Sequence, residues 1–202
     1  ERISQKLQGK VKNYFTMNEF LACADVGYGS GQIAPGLMLS GKRLNQVRHH
    51  VLLAHGTALS VLRATAPEAK VGLAENPSFM VPVIDVPEHV EAAKLAFREQ
   101  NAHFLTAVME GLYPDCYLEK EKENMPEFTD EDMRLIGGKL DFLGLNIYFG
   151  KFVCKGDGEK PYTIFNEDTV PHEPGLADLW YEPDSMYWGC RFVSELWNVP
   201  EI

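Results

Sequence analysis

The chain has 202 residues, 45% of them hydrophobic and 24% charged, which is the size and composition of one large soluble domain. Its 29 acidic against 19 basic residues give a net charge of −10, a field that repels phosphate backbones and argues against a nucleic-acid partner. The apolar stretches are short and broken by polar residues, so no membrane span is expected.

In chain order, residues 1–6 read as the end of a surface helix. Residues 10–17 alternate and then turn apolar, as a strand does on entering a core. A loop rich in Gly and Pro follows over residues 25–41. From 44 to 64, Leu44, Val47, Val51, Ala54, Ala58, Leu59 and Leu62 recur at helical spacing, and Pro67 ends that helix. Residues 69–74 form a short buried strand, and Asn76-Pro77 opens another loop. Helical spacing resumes over 87–109 through Val90, Ala93, Phe97, Phe104 and Val108, with Pro87 suited to the first turn and Gly111 to the end.

The acidic stretch 115–135 holds a short helix that Thr129 can cap. Residues 140–148 read as a near-continuous apolar strand of the kind a parallel sheet buries on both faces. The long irregular segment 150–180 has room for a β-hairpin, and 183–197 is helical. Strand and helix alternate three times, which predicts an α/β parallel sheet with crossover helices. A closed (β/α)8 TIM barrel takes about 250 residues, so three repeats make only part of one.

The four cysteines, Cys23, Cys116, Cys154 and Cys190, are scattered and contain no CxxC pair. That spacing discounts zinc and dithiol redox sites and fits free thiols in a reducing compartment, with the cytoplasm as the expected location. His49, His50 and His55 lack a carboxylate at metal-binding spacing and are expected to pack and cap their helix. No metal and no cofactor is expected.

Five segments carry a more specific message when taken together. Thr16-Met17-Asn18-Glu19-Phe20 stands at the end of the first strand. Ala34-Pro35-Gly36 follows, then His49-His50 through Ala54-His55-Gly56, then Gly111-Leu112-Tyr113-Pro114. Asp141-Phe142-Leu143-Gly144-Leu145-Asn146-Ile147-Tyr148 is the last. In this order and spacing the set resembles the family-one glycoside hydrolases, the β-glucosidase type, over essentially the whole chain. The family ends a barrel strand in Thr-(Phe/Met/Leu)-Asn-Glu-Pro and carries Asp-Phe-Xaa-Gly-Xaa-Asn-Tyr-Tyr on a later one.

The resemblance implies a retaining β-glycosidase acting on β-linked glucosides, galactosides or short β-linked oligosaccharides, with residues 1–202 as a partial barrel spanning about its fourth to sixth repeats. It makes Glu19 the general acid/base and Asn18 a ligand of the sugar 2-hydroxyl, with Asn146 and Tyr148 supporting the site. The family's nucleophile stands in a Thr-Glu-Asn-Gly strand expected beyond residue 202, and other sugar ligands are expected before residue 1. The chain alone is therefore expected to be inactive and to reach from one cut end to another. Its sheet edges would be met by the rest of the barrel or by a second copy.

The other reading is a non-catalytic half-barrel scaffold or sugar-binding fragment. Phe20 replaces the family's Pro, a change expected to alter the rigidity of the loop or the rim of the site. Ile147 replaces a Tyr at a position expected to alternate away from Asn146 and Tyr148. Glu75 is a rival carboxylate at a strand end, ranked below Glu19 and expected to line the cleft from a loop. Of the tryptophans, Trp188 and Trp197 are expected to pack, and Trp180 is a weak candidate for a distal sugar subsite.

Overall fold

The computed structural model describes residues 1–165, 173–174 and 180–202. It divides into two compact units. The first comprises Glu1–Asn76, Ala102–Asn146 and Val199–Ile202; the second comprises Pro77–Asn101 and Ile147–Asn198.

The first unit is built on three parallel strands, β1 (Asn13–Asn18), β2 (Lys70–Glu75) and β4 (Phe142–Leu145), in the order β1-β2-β4. β2 is central and buried through Val71, Gly72 and Leu73, as a strand covered on both faces should be. Beside β4, the carbonyl of Glu201 accepts the Leu143 N–H at 2.9 Å. β1 is an edge, and Phe15 on one of its faces is 56% exposed and rests edge-on against Phe142. The 25-residue helix α2 (Gly41–Thr65) connects β1 to β2, so the crossover expected from the alternating pattern is present.

Its buried stripe is not the apolar one that the spacing predicts. The buried residues are Asn45, His49, Leu52, His55, Gly56 and Leu59, while Leu44 and Val47 are half-buried and Ala54 is exposed. Polar side chains face inward because each finds a partner there. His49 Nδ1 lies 3.0 Å from the Tyr113 hydroxyl, and Asn45 donates to Glu121 at 2.7 Å and to the Asn124 carbonyl at 3.0 Å. At Gly56 a Cβ would collide with the Leu135 carbonyl of α6 (Asp130–Ile136), so glycine lets the two helices touch. α6 starts at the expected cap: Thr129 accepts from the Asp132 N–H, and the Asp132 carboxylate accepts from the Thr129 N–H.

The second unit has its own sheet, β3 (Phe79–Pro82), β5 (Gly150–Lys155) and β6 (Tyr162–Ile164), in which β3 and β5 are parallel and β5 and β6 form the expected hairpin. The loop expected to open at Asn76-Pro77 gives way at Phe79 to β3, whose four residues are all buried. Helices α3 (Pro87–Gln100) and α7 (Asp184–Trp197) complete this unit. Pro87 does open α3, and Val90, Ala93 and Phe97 are buried as the spacing requires. Phe97 sits among Phe79, Phe192 and Trp197, with ring centroids 6.0–6.1 Å away.

The single helix expected over 87–109 is two. Asn101 ends α3 by turning its amide back to the Phe97 carbonyl at 2.7 Å and to the Ser78 carbonyl at 3.1 Å. α4 (Leu105–Glu110) then starts anew and closes on Gly111 at φ 65°, the left-handed cap anticipated there. Phe104 and Val108 are buried, but at and beyond the break.

Candidate functional site

At the end of β1 the chain must leave an extended strand and enter a helix within one residue. That residue is Glu19, whose φ of 54° lies in the left-handed region that side chains other than Gly, Asn and Asp seldom occupy. Its N–H continues the sheet by donating to the Ala74 carbonyl at 2.9 Å, and its carbonyl accepts from the Cys23 N–H at 3.3 Å. Ala22–Ser30 follow as π-helical turns. Backbone in this region costs about 1–3 kcal/mol and concentrates at functional sites, so Glu19 is a functional candidate on geometry alone.

The structure brings three of the four predicted residues together. Asn146 Nδ2 donates to Glu19 Oε1 at 2.7 Å and to Asn18 Oδ1 at 3.0 Å. Asn18 is exposed and Glu19 half-buried, so the carboxyl and both amides remain within reach of solvent. Tyr148 belongs to the second unit and is 56% exposed. The strand expected over 140–148 stops at Leu145, because β2, its partner, stops at Glu75; Asn146 N–H takes the last bond, to the Glu75 carbonyl at 2.8 Å. Ile147 and Tyr148 therefore lie beyond the strand, and the alternation expected there does not set their directions. Trp188 is buried and Trp197 half-buried, both in α7; the Trp180 side chain lies outside the described residues.

Two expectations need correction. Glu75 does not line a cleft from a loop. It is the last residue of β2, 2% exposed, and its Oε2 accepts the Phe20 N–H at 2.8 Å. Burial pushes its carboxyl up to about 8; the backbone N–H groups of Phe20, Leu21 and Asn76 oppose the rise and the neighbouring Glu19 charge adds to it. Phe20, whose replacement of Pro is expected to alter the rigidity of the loop or the rim of the site, is not at a rim: it is fully buried, edge-on to His55 and stacked on Phe104 at 5.7 Å.

The turn is fixed from below. Thr16, two residues before Asn18, lies 2.6 Å from His55 Nδ1 and donates to the Gly72 carbonyl at 3.2 Å, which pins β1 to α2 and β2 together. Burial lowers the His55 ring to about 4, so it stays neutral. The π-helical turns are held by Asp25, which accepts from Arg48 Nε at 2.6 Å, while His103 Nε2 approaches the same carboxylate at 3.7 Å. Arg48 in turn donates to Asn45 Oδ1 at 2.7 Å, where the Tyr117 hydroxyl also donates. These histidines therefore pack and position. Among the described residues no group of three His, Cys, Asp or Glu side chains is set to hold a metal ion, and no helix is long and apolar enough to cross a membrane.

The arrangement offers one accessible carboxyl with an amide donor on one oxygen. A buried second carboxyl close by is already spent on backbone amides. Sequence reasoning missed the roles of Glu75, Phe20 and Thr16. The one available signal was the replacement of an expected Pro by Phe, which puts an N–H where proline has none.

Comparisons with known proteins point to one family. Residues 1–192 match the model of Glycosyl hydrolase family 1. The chain is 34% identical to Beta-glucosidase A of Thermotoga maritima, covering 96% of this chain and 43% of that protein. It is 33% identical to a 1,4-beta-D-glucan glucohydrolase of Thermotoga neapolitana, covering 96% of this chain and 45% of that one. Among solved structures, a Thermotoga maritima family 1 glycoside hydrolase complexed with a cyclophellitol-analogue transition-state mimic superposes with a TM-score of 0.76 at 30% identity, over 98% of this chain and 44% of that one. A Thermotoga maritima beta-glucosidase in complex with glucoimidazole gives 0.77 at 28% identity with the same coverage. The chain thus spans less than half the length of the relatives it matches.

Proposed function

This chain belongs to Glycosyl hydrolase family 1, and on that premise we propose that it forms about the fourth to sixth repeats of a (β/α)8 barrel that hydrolyses β-linked glucosides or galactosides with retention. Residues 1–202 are then one partial barrel domain. Glu19 is its general acid/base, and Asn18 and Asn146 hold the sugar and the carboxyl. The observation that carries the reading is the Glu19 carboxyl at the carboxyl end of β1, where barrel enzymes keep their sites, with Asn146 Nδ2 at 2.7 Å.

In the first step the Glu19 carboxyl gives its proton to the glycosidic oxygen, and the bond from that oxygen to the anomeric carbon breaks to release the aglycone as an alcohol. A second carboxylate, about 5–5.5 Å away, bonds the carbon. In the second step the Glu19 carboxylate takes a proton from the water that releases the sugar. Asn146 holds the carboxyl in place through the bond from its amide to Oε1. Glu75 does not serve as the nucleophile: it is buried and turned to backbone amides. The resemblance assigns that role to a glutamate outside this sequence, so the 202-residue chain alone is inactive. The exposed Phe15 and the edge strand β1 fit a surface that the rest of the barrel covers.

The test is an aryl β-glucoside assay on the 202-residue chain and on a full barrel carrying it. The chain alone should give no turnover. In the full barrel, Glu19→Gln should cost about 10²–10⁴-fold, the usual worth of general acid/base catalysis. Turnover by the isolated chain, or an unaffected Glu19→Gln barrel, would overturn the corresponding half of the proposal.

A further inference from the structure

The buried Glu75 is the largest polar expense in the first unit that the proposed reaction leaves unused. A carboxyl at the end of a central strand gains nothing from the sheet and loses its water. What it gains is the Phe20 N–H at 2.8 Å, one residue after the left-handed Glu19. The N–H groups of Leu21 and Asn76 also act on it. Its own backbone carbonyl accepts the Asn146 N–H at 2.8 Å, and Asn146 in turn grips Glu19 Oε1 at 2.7 Å. Glu75 is thus tied by its side chain to the turn that aims Glu19, and by its carbonyl to the backbone of Asn146, the residue whose side chain holds the Glu19 carboxyl. The family pattern places Pro where Phe20 stands, and proline has no N–H to offer. The departure at Phe20 and the burial of Glu75 are therefore one device: the amide that Phe20 supplies is the one that Glu75 takes.

We propose that Glu75 is the positioning residue of this site, a buried carboxyl that replaces the stiffness of a proline with a hydrogen bond to the Phe20 N–H and so sets the direction of Glu19. The inference rests on the reading of Glu19 as the acid/base, but its test does not use turnover. The titratable group facing Glu75 from the turn after β1 is Glu19 itself.

The experiment is nuclear magnetic resonance on the 202-residue chain labelled with ¹³C and ¹⁵N. The Phe20 amide proton and the Asn146 side-chain amide should shift with pH in step with the Glu75 carboxyl carbon. In Glu75→Leu, exchange of the Phe20 amide should accelerate about tenfold, the factor one such hydrogen bond is worth, and the Asn146 side-chain signals should move. Glu75→Gln keeps the volume and one acceptor oxygen, so it should retain much of the Phe20 protection while abolishing the pH dependence.

An urea-unfolding cycle over Phe20→Pro and Glu75→Leu covers the case in which one variant folds poorly. The packing loss of Phe20→Pro is common to both backgrounds, so the double variant should be more stable than the two single losses predict. A Phe20 amide indifferent to Glu75 would overturn the proposal, as would additive losses. So would a responding Phe20 with an unchanged Asn146, which is what a merely structural carboxyl would give.

Discussion

Helices α2 and α3 solve the same packing problem with opposite chemistry. α3 buries Val90, Ala92, Ala93, Ala96 and Phe97, an apolar stripe at helical spacing, and its unit closes around Phe97 with three aromatic neighbours. α2 buries Asn45, His49 and His55 along with Leu52 and Leu59. An apolar stripe is held by area, which is non-directional and tolerates sliding. A polar stripe is held by directed bonds, and any mismatch leaves an unsatisfied group. Directed bonds stand where position matters: His55 meets Thr16 just before Asn18 and Glu19, and Arg48 grips the π-helical turns just after them. Cohesion is supplied by the one helix, registration by the other.

Substitutions can break this contrast, and the largest effect belongs to the apolar side. Phe97→Ala should cost about 3–5 kcal/mol of unfolding free energy, since a fully buried ring leaves a cavity. All three tryptophans, Trp180, Trp188 and Trp197, lie in the second unit, so tryptophan fluorescence during urea unfolding reads this loss directly. Asp25→Asn comes next. It leaves the largely buried Arg48 without its anion, a cost of about 3 kcal/mol, read by circular dichroism because the first unit has no tryptophan.

The polar side should also sign itself in pH. His55 is held near 4 against an ordinary 6.5, so the unfolded chain takes its proton first and stability falls as pH drops from 6.5 to 4. Burial of His49 and His103 works in the same direction. Glu75 is held near 8 against 4.5, so the unfolded chain ionises first and stability falls as pH rises from 4.5 to 8. Each group contributes a slope of up to about 1.4 kcal/mol per pH unit, and between 4.5 and 6.5 the slopes of His55 and Glu75 cancel. Glu75→Gln should therefore move the pH of maximum stability upward, and His55→Gln should move it downward; thermal unfolding across pH 4–8 checks both. The smallest effect is expected at the surface, where Thr129→Ala removes the cap of α6 at about 1 kcal/mol.

The contrast also sets what could be read from the sequence. Apolar patterning located α3 and the three strands of the first unit, and capping rules found Pro87, Gly111 and Thr129, because these signals are local. On α2, His49 and His55 pack as expected, against Tyr113 and Thr16, but the inward turn of Asn45 could not be read, since it looks like a surface residue until Glu121 is brought beside it. The break after Gln100 hid for a related reason: Asn101 caps by reaching back to Ser78, which no window of helical spacing contains. At the site, motif order put Asn18, Glu19 and Asn146 together although 127 residues separate Glu19 from Asn146. The bond from Phe20 to Glu75 could not be read, because it joins an unremarkable amide to a carboxylate 55 residues away.

The left-handed backbone at Glu19 gives this molecule a built-in gauge of its own history. At φ 54° a glycine or asparagine would sit more comfortably, by about 1 kcal/mol, so the easiest stabilising change in this segment is one that discards the carboxyl. A lineage released from chemistry would drift downhill to Gly or Asn at this position, and a protein engineer selecting for heat resistance alone would be led the same way. On the proposed role of Glu19, a screen of this chain for thermal stability alone will favour hits at this position that discard the acid/base rather than improve the packing.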